Sequence, residues 1–261
     1  MENNPTTAYD PSTDKKVTDS SKIMLMAFII FSVTMMFGGL VSAYLVSSIG
    51  QYWVHLTPPT ALWVSNALIV ASSVSLFASL KAMKGGNVMR SKVLLIVTLA
   101  LGVGFTVTQY AGWKSLAQIG SGFGTETNDD GLAAYSWNRI NELIESEAVY
   151  GEDYDVRING TPILFNAETG AFYAPNDPLM VRPITSDVVH RTNSSASYIW
   201  ALIYIHIFHL VLGIAYLSVN LFRVSKGTIN PEDTVRLKVL SIFWHFLGGL
   251  WLLLFLLLFI K

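Results

Sequence analysis

Residues 198–222 read YIWALIYIHIFHLVLGIAYLSVNLF, a run of 25 residues without Asp, Glu, Lys or Arg. A helix of about 20 apolar residues is long enough to cross a bilayer, so this run predicts a membrane span. Four further apolar segments meet the same length criterion, at 23–48, 61–81, 92–113 and 238–260. Only 13% of the 261 residues are charged, about half the share of a soluble domain, which favours an integral membrane protein.

These spans predict an all-α membrane protein: a bundle of five transmembrane helices with a small extramembrane α+β insertion between helices three and four. Residues 1–22 are polar and lack the apolar centre of a signal peptide, and we expect a flexible cytoplasmic tail. Helices one to three then occupy 23–113, the insertion 114–197, and helices four and five 198–261.

Lys and Arg are distributed unevenly between the two sides of the predicted bundle. The connections 81–92 and 223–238 and the N-terminal tail carry several, whereas the loop 49–60 carries none. Because short cytoplasmic loops are enriched in Lys and Arg, we expect a cytoplasmic N-terminus and an outside C-terminus. The predicted location is a bacterial inner membrane.

The insertion is longer than a plain connection and is acidic in its first part. Trp137, Ile140 and Ile144 recur at helical spacing, so a short amphipathic helix is expected around 136–148. Asn159-Gly160 is a strong hairpin signal, and AETG at 167–170 predicts a second turn, which together indicate a small β-meander.

The acidic part of the insertion allows two interpretations. It is a solvated cap over the helix ends, or it is a docking surface for a basic soluble partner or a neighbouring subunit. The candidate docking residues are Glu126, Asp129, Asp130, Glu142 and Glu145.

Polar residues inside membrane spans are costly and therefore mark candidate sites. His206, His209 and His245 could hold a b-type haem, could form a three-nitrogen metal site, or could make structural hydrogen bonds between helices. The chain has no cysteine, which excludes iron–sulfur clusters, thiolate copper sites and covalent haem attachment. No carboxylate, Lys or Arg lies centrally in any span, which argues against a pump, an ion channel or a proton-coupled carrier.

Three stretches resemble motifs of haem–copper oxidase subunit III, the third core subunit of cytochrome c oxidase, in its short five-helix form. HIFHLVLG at 206–213, followed by Arg223, is similar to that family's His-x-x-His…Gly motif and its arginine. FWHFLGGLW at 243–251 is similar to its Trp-His-Phe motif, and LGVGFTVTQYAGW at 101–113 to its third helix. The first two spans resemble the family as well, so the similarity extends over all five.

The sequence departs from the family pattern at its carboxylates. Ser32 stands where the first family helix carries a membrane-buried Glu, Gly112 ends the Gln109 motif in place of a Glu, and the Asp after the Trp-His-Phe motif is replaced near Gly248. Proton-collecting roles that the family assigns to those carboxylates are therefore not transferred to this chain.

The resemblance implies a subunit without a redox centre. It would pack on catalytic subunit I beside subunit II, and those two partner subunits would hold the haem and copper. Such a subunit binds structural phospholipid, supports proton uptake and sustains oxygen reduction by its proton-translocating oxidoreductase complex. Arg223 and Lys226 are the expected lipid ligands, and no metal, no catalytic residue and no nucleic-acid partner are expected. The expected structural polar residues within the membrane are Asn66, Gln109, His206, His209, Trp244 and His245.

The main interpretation is a cytochrome c oxidase, with cytochrome c or a donor complex in a supercomplex as a further partner. Subunit III of a quinol oxidase and an accessory subunit of a nitric oxide reductase are alternatives. A membrane cytochrome that binds b-type haem is a third.

Overall fold

A computed structural model describes residues 11–118, 121–127, 133–145, 148–191 and 193–259. Within these ranges, five helices are long and apolar enough to cross a membrane. They are α1 (Pro11–Ser47), α2 (Thr60–Lys84), α3 (Val88–Gln118), α6 (Asn193–Ser225) and α7 (Val235–Phe259). The predicted fold class, a multi-pass all-α membrane protein with a small strand-containing insertion, is confirmed.

Helix α1 begins much earlier than the sequence analysis expected. We predicted a flexible tail over residues 1–22, but the helix starts at Pro11, and residues 1–10 lie outside the described ranges. Proline fits the first position of a helix, and no Gly or Pro follows it until Gly38. Lys22 also contacts Asp19 at 2.8 Å between Nζ and Oδ1, a pairing one helical turn apart that supports the helix.

Helices α2 and α3 form a closely packed antiparallel pair, joined by a turn at Gly85 and Gly86. A Cβ atom placed on Gly112 would collide with the side chain of Leu62, so the glycine permits this close approach. Nearer the turn, the Oγ atoms of Ser79 and Ser91 lie 3.0 Å apart and join the two helices by a hydrogen bond.

Helix α7 packs against α1, α2 and α6 and is the most buried of the five. The ring of Trp244 lies over α3, where a Cβ on Gly102 would be only 2.9 Å from Cη2 of that ring. On the other side, a Cβ on Gly213 would be 3.0 Å from Leu247. The glycine that ends the His-x-x-His stretch therefore allows α6 and α7 to approach each other.

The insertion contains two short helices and most of the strands. The helices are α4 (Ile140–Glu145) and α5 (Thr185–Arg191). The strands are β1 (Tyr52–Leu56), which precedes α2, and β2 (Ser121–Thr127), β3 (Ala133–Asn138), β4 (Tyr154–Ile158), β5 (Thr161–Pro162), β6 (Leu164–Asn166) and β7 (Ala171–Tyr173). Three antiparallel sheets result, with the orders β1-β4-β5, β2-β3 and β6-β7.

Both predicted hairpin turns are confirmed, and two other predictions for the insertion are wrong. Asn159 and Gly160 have φ angles of 50° and 80° between β4 and β5, as a turn of two left-handed residues requires. The helix predicted at 136–148 covers only Ile140–Glu145, because Trp137 belongs to strand β3. The strands also divide among separate sheets rather than forming one meander.

Strand β1, in the loop between α1 and α2, was not predicted from the sequence. Its five residues pair antiparallel with β4, more than 90 positions away, with Tyr52 opposite Ile158 and Leu56 opposite Tyr154. This pairing places the α1–α2 loop and the insertion on the same side of the bundle. The C-terminal end of α7 lies there too, because Leu257 borders the same cavity as His55.

Candidate functional site

Two tryptophans on one face of α7 connect this helix to α2. Trp244 donates from Nε1 to Oγ of Ser72 at 2.9 Å, and Trp251 donates from Nε1 to Oδ1 of Asn66, also at 2.9 Å. They lie two turns apart, which puts both rings on one side of the helix. Within a membrane, such bonds contribute to helix association because no water competes for the donors.

A third hydrogen bond between helices joins α3 to α2. Gln109 donates from Nε2 to Oγ of Ser65 at 2.7 Å, and both side chains are fully buried. Gln109 was identified from the sequence as a structural polar residue, but Ser65 and the role of Trp251 were not. The i, i+7 repeat of the two tryptophans was the signal that could have identified Trp251.

His206 is buried in the bundle, with 2% of its surface exposed. Its ring lies 5.2 Å from the Trp251 ring and 6.5 Å from the Phe37 ring, between centroids. Its Nδ1 atom has no hydrogen-bond partner among the described residues. The imidazole therefore packs as an aromatic group among α1, α6 and α7.

One interpretation of the sequence was that the histidines make hydrogen bonds between helices, and for His209 and His245 the structure differs. His209 Nδ1 lies 2.7 Å from the Ile205 carbonyl oxygen, and His245 Nδ1 lies 2.6 Å from that of Ser241. Both bonds stay within one helix, because the side chain reaches back to the carbonyl four residues earlier. A carbonyl only accepts, so each Nδ1 is the donor, and in the neutral ring each Nε2 is an acceptor.

The side chains of His206, His209 and His245 do not come together at one site. Among the described residues, no three His, Asp or Glu side chains converge in a way that could hold a metal ion. His206 points into the bundle, whereas His245 is exposed on its surface. The arrangement thus offers no three-nitrogen site.

The surface around His245 is an indented face of the bundle. One groove of about 370 Å³ lies between α2 and α7, lined by residues that include Ser73 and Gly249, and His245 borders it. A second groove of about 370 Å³ lies between α1 and α7, and His245 and Gly249 border it as well. We call this surface, with both grooves, the His245 face.

The predicted lipid ligands lie at the end of α6 opposite to the insertion. Arg223 is half-buried in the last turn, and Lys226 is exposed, with its Nζ 4.5 Å from the Phe222 ring centroid. Neither side chain forms an ion pair within the described part of the chain. Both charges are therefore available at this rim of the bundle.

The acidic docking residues are described only in part. Glu145 is exposed at the end of α4. Glu126 lies in β2 and Glu142 in α4, but their side chains lie outside the described set, and Asp129 and Asp130 lie outside the described residues altogether.

Comparison with known proteins gives one local similarity. No family model matches the chain. Over 56 residues, or 22% of this chain, it is 32% identical to subunit 3 of a cytochrome bo(3) ubiquinol oxidase from Pseudomonas putida. The matched stretch covers 27% of that relative's length. This similarity supports a relation to haem–copper oxidase subunit III, although not to the cytochrome c oxidase form that the sequence analysis favoured.

Proposed function

We propose that this chain is a subunit III of a haem–copper terminal oxidase and that the oxidase uses quinol as its electron donor. The observation that carries this proposal is the 32% identity to a ubiquinol oxidase subunit 3. The five-helix architecture supports it. Because the relative is a quinol oxidase subunit, the quinol alternative replaces cytochrome c as the proposed donor.

The proposed role is structural rather than redox. His206 is enclosed by aromatic rings, and His209 and His245 each direct Nδ1 to a carbonyl of their own helix. This use of the imidazoles supports packing roles. The chain would then act by holding and supporting a catalytic subunit that carries haem and copper.

The His245 face is the proposed contact with that catalytic subunit. Ionisable side chains within membrane helices almost always face protein or water rather than lipid. His245 lies near the middle of α7, and yet it is exposed on the outside of this bundle, with its Nε2 acceptor unused by the described residues. A partner helix that donates a hydrogen bond to Nε2 would remove this cost, and Gly249 permits close approach.

The test is co-purification of the tagged full-length chain in mild detergent. We expect a haem–copper catalytic subunit, identified by mass spectrometry and by its reduced-minus-oxidised spectrum, in equal amount. The complex should oxidise a short-chain ubiquinol faster than it oxidises reduced cytochrome c. Absence of any haem–copper subunit would overturn the proposed function, and so would a stoichiometric b-type spectrum from the isolated chain.

The contact face is tested separately by two matched substitutions. His245→Leu should lower the haem recovered per tagged chain several-fold, because it removes the acceptor. Tyr110→Leu is the control, since Tyr110 is 68% exposed on α3 and does not border either groove. Equal recovery from the two variants would rule out the His245 face while leaving the oxidase assignment intact.

The membrane orientation and the rim contacts complete the proposal. We propose that the N-terminus faces the cytoplasm of a bacterial inner membrane, so that the insertion lies outside. Arg223 and Lys226 then lie at the cytoplasmic rim, where a phospholipid phosphate can bind the guanidinium by paired hydrogen bonds. The exposed carboxylate of Glu145 supports a docking role for the insertion.

A further inference from the structure

A cavity of about 520 Å³ lies where two membrane helices meet the insertion. Its walls come from the end of α1, from β1, from the β4–β5 turn and from Leu257 near the end of α7. The volume is within the range of roughly 300–1,000 Å³ that is usual for small-molecule sites. It lies at the opposite end of the bundle from Arg223 and Lys226.

The cavity is apolar at one end and polar at the other. Leu45 and Leu257 lie near the ends of α1 and α7, and Ile49 lies just beyond the end of α1; Leu45 and Ile49 are 40% and 71% exposed. His55 and Asn159 line it from the extramembrane sheet and its turn. The polarity of the wall therefore increases from the membrane side towards the water side, which matches the apolar tail and polar head of a lipid.

His55 supplies a polar atom that the fold leaves unused. Its imidazole forms part of the cavity wall, and Nε2 is buried without a hydrogen-bond partner among the described residues. Burial lowers the pKa of this imidazole, although Asp155 opposes the shift, and this favours the uncharged ring. A small rotation of the ring would bring this nitrogen to the cavity surface, where it can exchange one hydrogen bond with a ligand.

An aromatic pair forms the wall beside α1. Trp53 donates from Nε1 to the Tyr44 hydroxyl at 3.1 Å, and the ring centroids lie 5.1 Å apart. Because that hydroxyl accepts this bond, its own hydrogen can be donated to a ligand. Tryptophan and tyrosine are enriched at the membrane interface, which is consistent with this depth.

The cavity carries no net charge. Arg157 binds Asp155 through two of its nitrogens, with distances of 3.0 Å from Nε to Oδ1 and 2.7 Å from Nη2 to Oδ2. The carboxylate of Asp155 balances the positive charge of the Arg157 guanidinium, and the uncharged ring of His55 adds no charge. Anionic lipids are recognised by clusters of uncompensated Lys and Arg, which the wall lacks among its described residues.

We propose that this cavity is a binding site for an amphipathic membrane lipid whose head group has no net charge and hydrogen-bonds to His55. The acyl or isoprenoid tail lies along Leu45, Ile49 and Leu257, and the head lies under the β4–β5 turn. Two lipids share this chemistry: a zwitterionic phospholipid such as phosphatidylethanolamine, and a quinol.

The experiment is native mass spectrometry of the full-length chain in mild detergent, with lipids added one at a time. The probes are dioleoyl phosphatidylethanolamine, dioleoyl phosphatidylglycerol and decylubiquinol. We expect one retained molecule of either the first or the third probe, and these two arms identify the source. Preferential retention of the anionic phosphatidylglycerol would overturn the proposal.

Two substitutions locate the binding. Ser48→Phe adds a large ring to the cavity wall and leaves residue 55 a histidine; the Ser48 hydroxyl that it removes donates to the Leu45 carbonyl. Ser115→Phe is the matched control, because Ser115 makes the same kind of bond to Ala111 near the end of α3 and does not line the cavity. We expect at least a five-fold loss of retained lipid for Ser48→Phe, and equal retention by both variants would refute the site.

His55→Phe tests the hydrogen bond in a folded chain. It keeps an aromatic ring in the wall and removes both nitrogens, so retention should fall several-fold. Unchanged retention would contradict the role of His55. Because all of these readouts concern lipid on the isolated chain, they do not depend on whether an oxidase co-purifies.

Discussion

Trp244 is the side chain through which α7 contacts three other helices, so its replacement by Phe is the sharpest test of the bundle. The indole is 1% exposed, donates to Ser72 at 2.9 Å, and lies against Gly102 and Gly213. Trp244→Phe removes the donor and the second ring while it keeps an aromatic side chain in place.

The expected cost follows from two contributions. Hydrogen bonds between membrane helices contribute about 0.6 kcal/mol on average and up to about 1.7 kcal/mol. A residual hole of roughly 40 Å³ at about 24 cal/mol per Å³ adds about 1 kcal/mol. Ser72 Oγ still donates to the Ile69 carbonyl, so no buried hydroxyl is left without a partner. Together these give a loss of about 1.5 kcal/mol in the free energy of unfolding.

The assay is reversible unfolding of the purified chain in mixed micelles, with Trp63→Phe as the control. Trp63 is 52% exposed on α2 and touches Phe255 by an edge contact that Phe can retain, so its replacement should cost less than about 0.5 kcal/mol. A double-mutant cycle with Ser72→Ala should give a coupling of about 0.6 kcal/mol. Equal costs for the two tryptophans, together with zero coupling, would refute the proposed packing of α7.

Two further predictions concern the close contact at α3 and the insertion. Gly102→Ala should destabilise the bundle by about 1–3 kcal/mol, because the new Cβ meets the Trp244 ring. Gly39→Ala should be neutral or stabilising, since no atom lies within 4 Å of a Cβ placed there. Unfolding titrations compare the two variants, and equal losses of stability would contradict the close contact between Gly102 and Trp244. Burial raises the pKa of Tyr150 to about 12 from its ordinary value of 10. The folded insertion therefore holds this proton more tightly than the unfolded chain, so the contribution of Tyr150 to stability is complete below pH 10 and is lost as the pH rises through 12. Tyrosinate absorbance during a pH titration should show a late-ionising fraction that decreases in Tyr150→Phe, and an unchanged profile would argue against the buried hydroxyl.

The local features of the chain were predictable because their causes are local. A membrane helix satisfies all of its backbone hydrogen bonds within one segment, so length and apolar composition are sufficient to identify it. The turn at Asn159 and Gly160 follows from two residues that tolerate positive φ. Helix α1 was placed too late because hydropathy alone does not show that the polar residues 11–22 continue the same helix.

The contacts of the polar side chains were not predictable in the same way. A histidine in a span can bond a neighbouring helix or its own preceding turn, and only the rotation of the helix decides between them. His209 and His245 bond their own turns, whereas Trp244 and Trp251 make the contacts with α2.

By itself, the sequence determined that the chain crosses a membrane five times, where the spans lie and which turns interrupt the insertion, because each of these depends on neighbouring residues. The tertiary structure decided which strand pairs with β4, which face of α7 carries His245 outward, and how His55 and Leu257 come to border one cavity. These features join residues that are far apart in the chain. Their free energy comes from packing and pairing between segments, which no single stretch of sequence contains.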